Sequence, residues 1–180
     1  MKIIKNVLNK KDLEVLNKEF LNPFFPWYFY DFTAYEGYDN FKVKGVYEAP
    51  QLTHGFIKNG EILSPAMLQQ LGPVLDNIYK NIDIQKIIRM KLNLQFPHNF
   101  KKNQIFNTPH YDDIKTPNLK IIIFYLNTCD AYTYFFKGTK VNKKIKVEEN
   151  TLVCFDGTTL HAGSNPKKSP HKLCLNINYV

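Results

Sequence analysis

Apolar and polar positions change period along the chain. Leu13, Leu16 and Phe20 recur at helical spacing, which predicts a first helix of about ten residues. Pro23-Phe24-Phe25-Pro26 ends it, since proline lacks an N–H and restricts the residue before it. Residues 27–35 are aromatic and read as extended. Ser64-Pro65 reads as an N-cap with proline at the first helical position. Leu68, Leu71, Leu75 and Ile78 then form a second apolar stripe, and Gly72-Pro73 predicts a kink in it. From Ile87 the period becomes two. Ile88, Met90, Leu92, Leu94 and Phe96 face one way, and Arg89, Lys91, Asn93 and Gln95 the other. Further strands are predicted at 109–113, 120–126, 132–136, 150–155, 160–163 and 172–179. Turn signals such as Lys137-Gly138, Asp156-Gly157 and Asn165-Pro166 separate them. Short, closely spaced strands after two helices predict a mainly β (α+β) fold. The expected form is a sandwich or jelly roll with the helices on one outer sheet face. One domain over 1–180 is expected, with 1–86 as helical support and 87–180 as the β core.

Composition narrows the class. The 180 residues are 44% hydrophobic and 14% aromatic, enough for one packed core and unlike a disordered chain. No apolar run reaches the ~18 residues of a membrane helix. No apolar leader follows Met1, so no secretory signal is expected. Cys129, Cys154 and Cys174 are odd in number and not in C-x-x-C spacing, which fits a reducing compartment. The expected location is the cytoplasm, a host's if the chain is phage-encoded. Net charge is +8, but Arg89 is the single arginine among 24 basic residues. Lysine richness of this kind fits an AT-rich coding bias. A nucleic-acid partner, which draws on arginine forks, is disfavoured. The lysine-dense stretch 137–146 reads as a solvated hairpin edge.

His110-Tyr111-Asp112 is an H-x-D pair, and residues two apart on a strand project to one face. His161 lies on a later short strand. Two histidines and a carboxylate make a facial triad that leaves positions open on an octahedral metal, as a non-haem Fe(II) oxygenase needs. Those positions accept a bidentate 2-oxo acid and O2. Singly, His110 reads as a strand-edge histidine, His161 as a satisfied turn histidine and Lys172 as a surface lysine. Together they form a set, because the distal carboxylate of a buried 2-oxoglutarate requires a cation, which Lys172 can supply. On 172–179, Lys172, Cys174, Asn176 and Asn178 share one face and Leu173, Leu175 and Ile177 the other. This alternation suits a barrel with a polar interior site. Asn93 and Gln95 also point inward on this reading. His54 and His98 read as structural, His171 faces away from Lys172, and Asp113 reads as a solvated loop residue.

The stretches His110-Tyr111-Asp112, Ile123-Phe124-Tyr125-Leu126-Asn127-Thr128, Leu152-Val153-Cys154-Phe155-Asp156, His161-Ala162-Gly163, Lys172 and Asn176-Ile177-Asn178-Tyr179 resemble Fe(II)/2-oxoglutarate-dependent oxygenases. The likeness is greatest to short prolyl-4-hydroxylase-like enzymes of bacteria and bacteriophages. It covers residues 87–180, with Phe25-Pro26-Trp27-Tyr28 and Thr53-His54-Gly55 adding to it less specifically. It implies a double-stranded β-helix, with His110, Asp112 and His161 as iron ligands. It implies Lys172 and the Tyr125 hydroxyl as partners of the 2-oxoglutarate carboxylate. Many relatives place arginine where Lys172 stands. The implied activity is hydroxylation of an unactivated C–H bond, of a prolyl or other residue of a protein or peptide. Fe(II), 2-oxoglutarate and O2 are the implied reactants, with ascorbate as a supporting reductant. Two alternatives stay open: the same chemistry on a nucleobase or small metabolite, and a non-catalytic jelly-roll module that keeps the metal for stability. Substrate loops are expected around 96–109 and 113–118, and the oligomeric state is left open.

Overall fold

Helix formation follows the first stripe. A computed structural model describes residues 1–33, 46–98, 105–112 and 115–180. Strand β1 (Lys2–Lys5) precedes helix α1 (Lys10–Phe20), which buries Leu13, Leu16 and Phe20. Asn9 caps α1 by accepting from the Asp12 N–H at 2.9 Å. Trp27 Nε1 donates to the Phe20 carbonyl at the other end. Strands β2 (Tyr28–Tyr30), β3 (Val46–Tyr47), β4 (Gln51–Lys58) and β5 (Glu61–Ile62) follow. The expected kink at Gly72-Pro73 is a full break between α2 (Pro65–Gln69) and α3 (Gly72–Asn81). Pro73 sits in the first turn of α3, where its missing N–H costs nothing. Ser64 precedes α2 but makes no side-chain cap; its hydroxyl donates to the Gly55 carbonyl. The remaining strands are β6 (Ile87–Gln95), β7 (Phe106–Asn107), β8 (Lys120–Tyr125), β9 (Tyr132–Lys137), β10 (Lys140–Lys146), β11 (Thr151–Asp156), β12 (His161–Gly163) and β13 (Lys172–Tyr179).

The large sheet runs β1-β11-β8-β13-β6-β4-β2, with β5 beside β4. A second sheet runs β10-β9-β12, and β3 pairs with β7. The antiparallel registers place alternate residues on opposite faces. Outward, Met90, Leu92, Leu94, Ile122, Phe124, Leu152, Leu173, Leu175 and Ile177 meet Leu13, Leu16 and Phe20 of α1 and Val74 and Ile78 of α3. Each such side chain, when fully buried, contributes ~1.5–3 kcal/mol. Inward, Ile121, Ile123, Tyr125, Val153 and Phe155 face Phe135 of the small sheet. This is the double-stranded β-helix that the resemblance implies, with the helices on one outer face.

Residues 1–86 supply strands as well as helices. β4 went unread in the sequence because it is buried along most of its length, so its polar and apolar positions do not alternate cleanly. The strand expected at 109–113 is reduced to one bridge between His110 and His161, with Asp112 in a bend. Asp113 and Tyr35 lie outside the described residues. On β6, Arg89 pairs with Asn178 but Ile87 pairs with Tyr179, so Ile88 is the extra residue of a bulge. It therefore packs on the inner cluster, not with Met90 and Leu92. The lysine-rich hairpin forms as expected, turning at Gly138 with φ 59° and exposing β10 at a sheet edge. No helix among the described residues is long and apolar enough to cross a membrane.

Candidate metal centre

β12 brings His161 opposite Phe135, and the backbone of His110 bonds both ways to that of His161. The His161 ring lies in an aromatic wall, 4.8 Å from Phe155 and 6.4 Å from Phe135 by ring centroids. Each histidine directs Nδ1 at a carbonyl two residues earlier: His110 at Thr108 and His161 at Thr159, both at 3.0 Å. A carbonyl only accepts, so Nδ1 carries the proton and Nε2 keeps its lone pair. Asp112 completes the group, and the three candidate ligand atoms all lie within 4.8 Å of one another.

A cation fits this donor set. Asp112 Oδ2 is buried without a hydrogen-bond partner and lies 3.5 Å from His161 Nε2. Two lone pairs facing each other in a buried space repel unless a cation or proton lies between them. Burial holds the His161 pKa down to about 4, with His110 pushing the same way against the Asp112 carboxylate. Burial would raise the Asp112 carboxyl, but His161, His110, Arg89 and Lys91 together hold it below its ordinary range. Neutral imidazoles and an ionised carboxylate are the ligating forms.

The triad opens onto a cavity of about 200 Å³ inside the β-helix. Its floor is the inward face of β6 and β13: Arg89, Lys91, Asn93, Gln95, Lys172, Cys174 and Asn176. Lys172 is only 4% exposed, and Nζ donates to the Ser164 carbonyl at 3.2 Å. Asn127 holds the backbone on both sides of it, donating to the His171 carbonyl and accepting from the Leu173 N–H. Tyr125 lies beneath the cavity wall and donates to Thr133 Oγ1 at 2.7 Å; the Thr133 side is the one that lines the space. Burial raises the Tyr125 phenol well above its usual range, so it stays a donor.

The structure thus brings His110, Asp112, His161 and Lys172 to one cavity and sets Tyr125 one hydrogen bond away. His54 is buried in the outer core between Phe25 and Phe56, with Nδ1 on the Pro26 carbonyl. Sequence reasoning passed over Lys91, Asn107, Thr133 and Glu48. Glu48 accepts from the Thr33 and Thr108 N–H groups, tying the end of the β2 segment to the approach to His110. For Lys91 the signal was present in the β6 alternation. Glu48 lies in an irregular segment, and Asn107 on a two-residue strand too short for a period to mark a face.

No protein-family model matches the sequence, and no curated protein matches it in sequence. Solved structures share the fold. An oxidoreductase of the 2OG-Fe(II) oxygenase family from Burkholderia pseudomallei aligns over 98% of this chain and 83% of its own, with TM-score 0.68 and 10% identity. The viral collagen prolyl hydroxylase of Paramecium Bursaria Chlorella virus-1, solved as a 2OG complex, aligns over 99% and 96%, with TM-score 0.60 and 17% identity. A Trichoplax adhaerens prolyl hydroxylase, solved with a hypoxia inducible factor peptide fragment, aligns over 99% and 82%, with TM-score 0.62 and 14% identity. The chain therefore has the fold of the 2OG-Fe(II) oxygenases, prolyl hydroxylases among them.

Proposed function

We propose that the protein is an Fe(II)- and 2-oxoglutarate-dependent dioxygenase that hydroxylates a C–H bond of a protein or peptide residue, prolyl or other. The observation that carries this is the cavity joining the His110, Asp112 and His161 donors to the buried Lys172 ammonium. A metal kept only for stability needs neither open positions nor a buried cation beside it. Iron with 2-oxoglutarate and O2 would supply oxidative decarboxylation, giving succinate, CO2 and one oxygen atom for the substrate.

This chain's residues do the rest. His110 and His161 present Nε2, oriented by the carbonyls of Thr108 and Thr159. Asp112 supplies one of the two negative charges that a dication requires. Lys172 receives the distal carboxylate of 2-oxoglutarate, with Thr133, which accepts from Tyr125, donating its own hydroxyl proton beside it. Ile123 and the aromatic wall around His161 give the metal end of the cavity an apolar lining, which strengthens the attraction between a cation and its ligands there. A groove leads away from the cavity along β4, which suits an extended substrate.

The test is succinate formation from 2-oxoglutarate by the purified protein with Fe(II) and ascorbate, beside His161→Ala and Lys172→Ala. Turnover in the wild type, lost in both variants, is expected. A folded protein that neither turns over nor binds 2-oxoglutarate in the presence of metal would leave the structural-module reading.

A further inference from the structure

Lys172 accounts for one cation in the cavity, yet two more line it. Arg89 and Lys91 lie on the inward face of β6, at the end away from Lys172. Register places Lys91 opposite Asn176 and Lys172 opposite Gln95. Four residues of strand separate the two lysines, about 13 Å along the backbone. Their side chains also serve different ends. Lys172 turns to Ser164, whereas Lys91 feels Asp112 and Arg89. A five-carbon cosubstrate seated on Lys172 leaves Lys91 over.

Lys91 is unspent in the structure. Among the described residues no hydrogen bond or ion pair holds its Nζ, while Arg89 is paired with Asp112 at 3.5 Å. Burial and the neighbouring Arg89 lower its pKa to about 8, so it still carries charge at neutral pH. A half-buried ammonium with no partner among the described residues is a ready site for an anion. Its position says where that anion comes from. A groove of about 270 Å³ shares Thr33, Gln51, Arg89 and Lys91 with the metal cavity and continues past Thr53 to Lys58 and Tyr30. Lys91 and Arg89 thus stand on the threshold between the metal and the path of an extended substrate. No carboxylate lines the groove among the described residues.

We infer that the substrate is a peptide with an acidic side chain close to the residue oxidised, and that Lys91, flanked by Arg89, receives that carboxylate. This rests on the dioxygenase reading above. It makes Lys91 a specificity-determining residue, separate from the cosubstrate clamp.

A randomised peptide library, incubated with the protein, Fe(II), 2-oxoglutarate and ascorbate, tests it by sequencing the peptides that gain one oxygen. Asp or Glu is expected at a fixed offset from the oxidised residue, enriched about tenfold, as a charge-assisted contact supports. Lys91→Met should abolish the enrichment, Lys91→Arg should restore it, and Lys91→Glu should replace it with Lys or Arg. Lys143→Met, on the exposed β10, removes the same charge and should leave the preference unchanged. Oxidised peptides with no acidic preference, or with one that survives in Lys91→Met, overturn the inference alone. Loss of 2-oxoglutarate binding in Lys91→Met would assign Lys91 to the cosubstrate and overturn it as well. No oxidised peptide from a protein that turns over 2-oxoglutarate would overturn the peptide reading and this inference with it.

Discussion

His161 packs between Phe135, Phe155 and His110, and that burial draws its pKa from 6.5 to about 4. In the unfolded chain the same imidazole protonates first as pH falls. Its contribution is therefore complete above pH ~6.5 and is lost as pH drops through ~4, a swing of roughly 3 kcal/mol. Urea midpoints of the metal-free protein at about pH 7 and about pH 4 should show this loss, and His161→Gln should show a smaller one. Asp112→Ala should weaken metal binding by more than the ~10–100-fold typical of losing an outer partner, read by metal titration. At Gly163 an added Cβ would lie 3.0 Å from Lys172 Nζ. Gly163→Ala should therefore displace the ammonium, raise the 2-oxoglutarate Kd and leave the melting temperature nearly unchanged, because the far end of a lysine moves cheaply. At this scale much was legible. Metal-ligand residue types at strand spacing marked His110 and Asp112, and His161 and Lys172 completed the set. Lys91 was harder, because a lysine alternating along a strand reads as solvent-facing until a second sheet is known to cover that face.

Regular elements were legible where one face is polar and the other apolar. α1 and β13 fall where their patterns place them, and β6 does so apart from Ile88, which the bulge turns to the inner cluster, and Phe96, which lies beyond its end. The β6 bulge was not legible, because a residue inserted into one strand shows only against its partner's register. β4 was hidden by burial on both faces, and β1 by its shortness. The α1 cap gives a local test: Asn9→Ala removes the bond to the Asp12 N–H and should cost ~1 kcal/mol. Thermal unfolding reads this, and metal affinity should not change, since α1 packs on the outer face of the sheet.

Across the whole molecule, the N-terminal strand and helix are fastened to the β core. Asn150, in a left-handed conformation with φ 59°, accepts from the Leu8 N–H at 2.8 Å and donates to the Leu8 carbonyl at 2.7 Å. Asn150→Gly keeps that backbone geometry but loses both bonds. It should destabilise by ~1–3 kcal/mol, with the earliest hydrogen exchange appearing in residues 2–8. The pairing of β1 with β11 has a further consequence for synthesis. Lys2–Lys5 is made well before its partner, which begins at Thr151. At ~5–20 residues per second it waits roughly 7–30 s for that partner to be translated. Sheet closure on this side is thereby postponed until β11 has been made. Nascent chains arrested before residue 151 should leave β1 open to protease, and the metal centre, which needs His161, cannot assemble before that point.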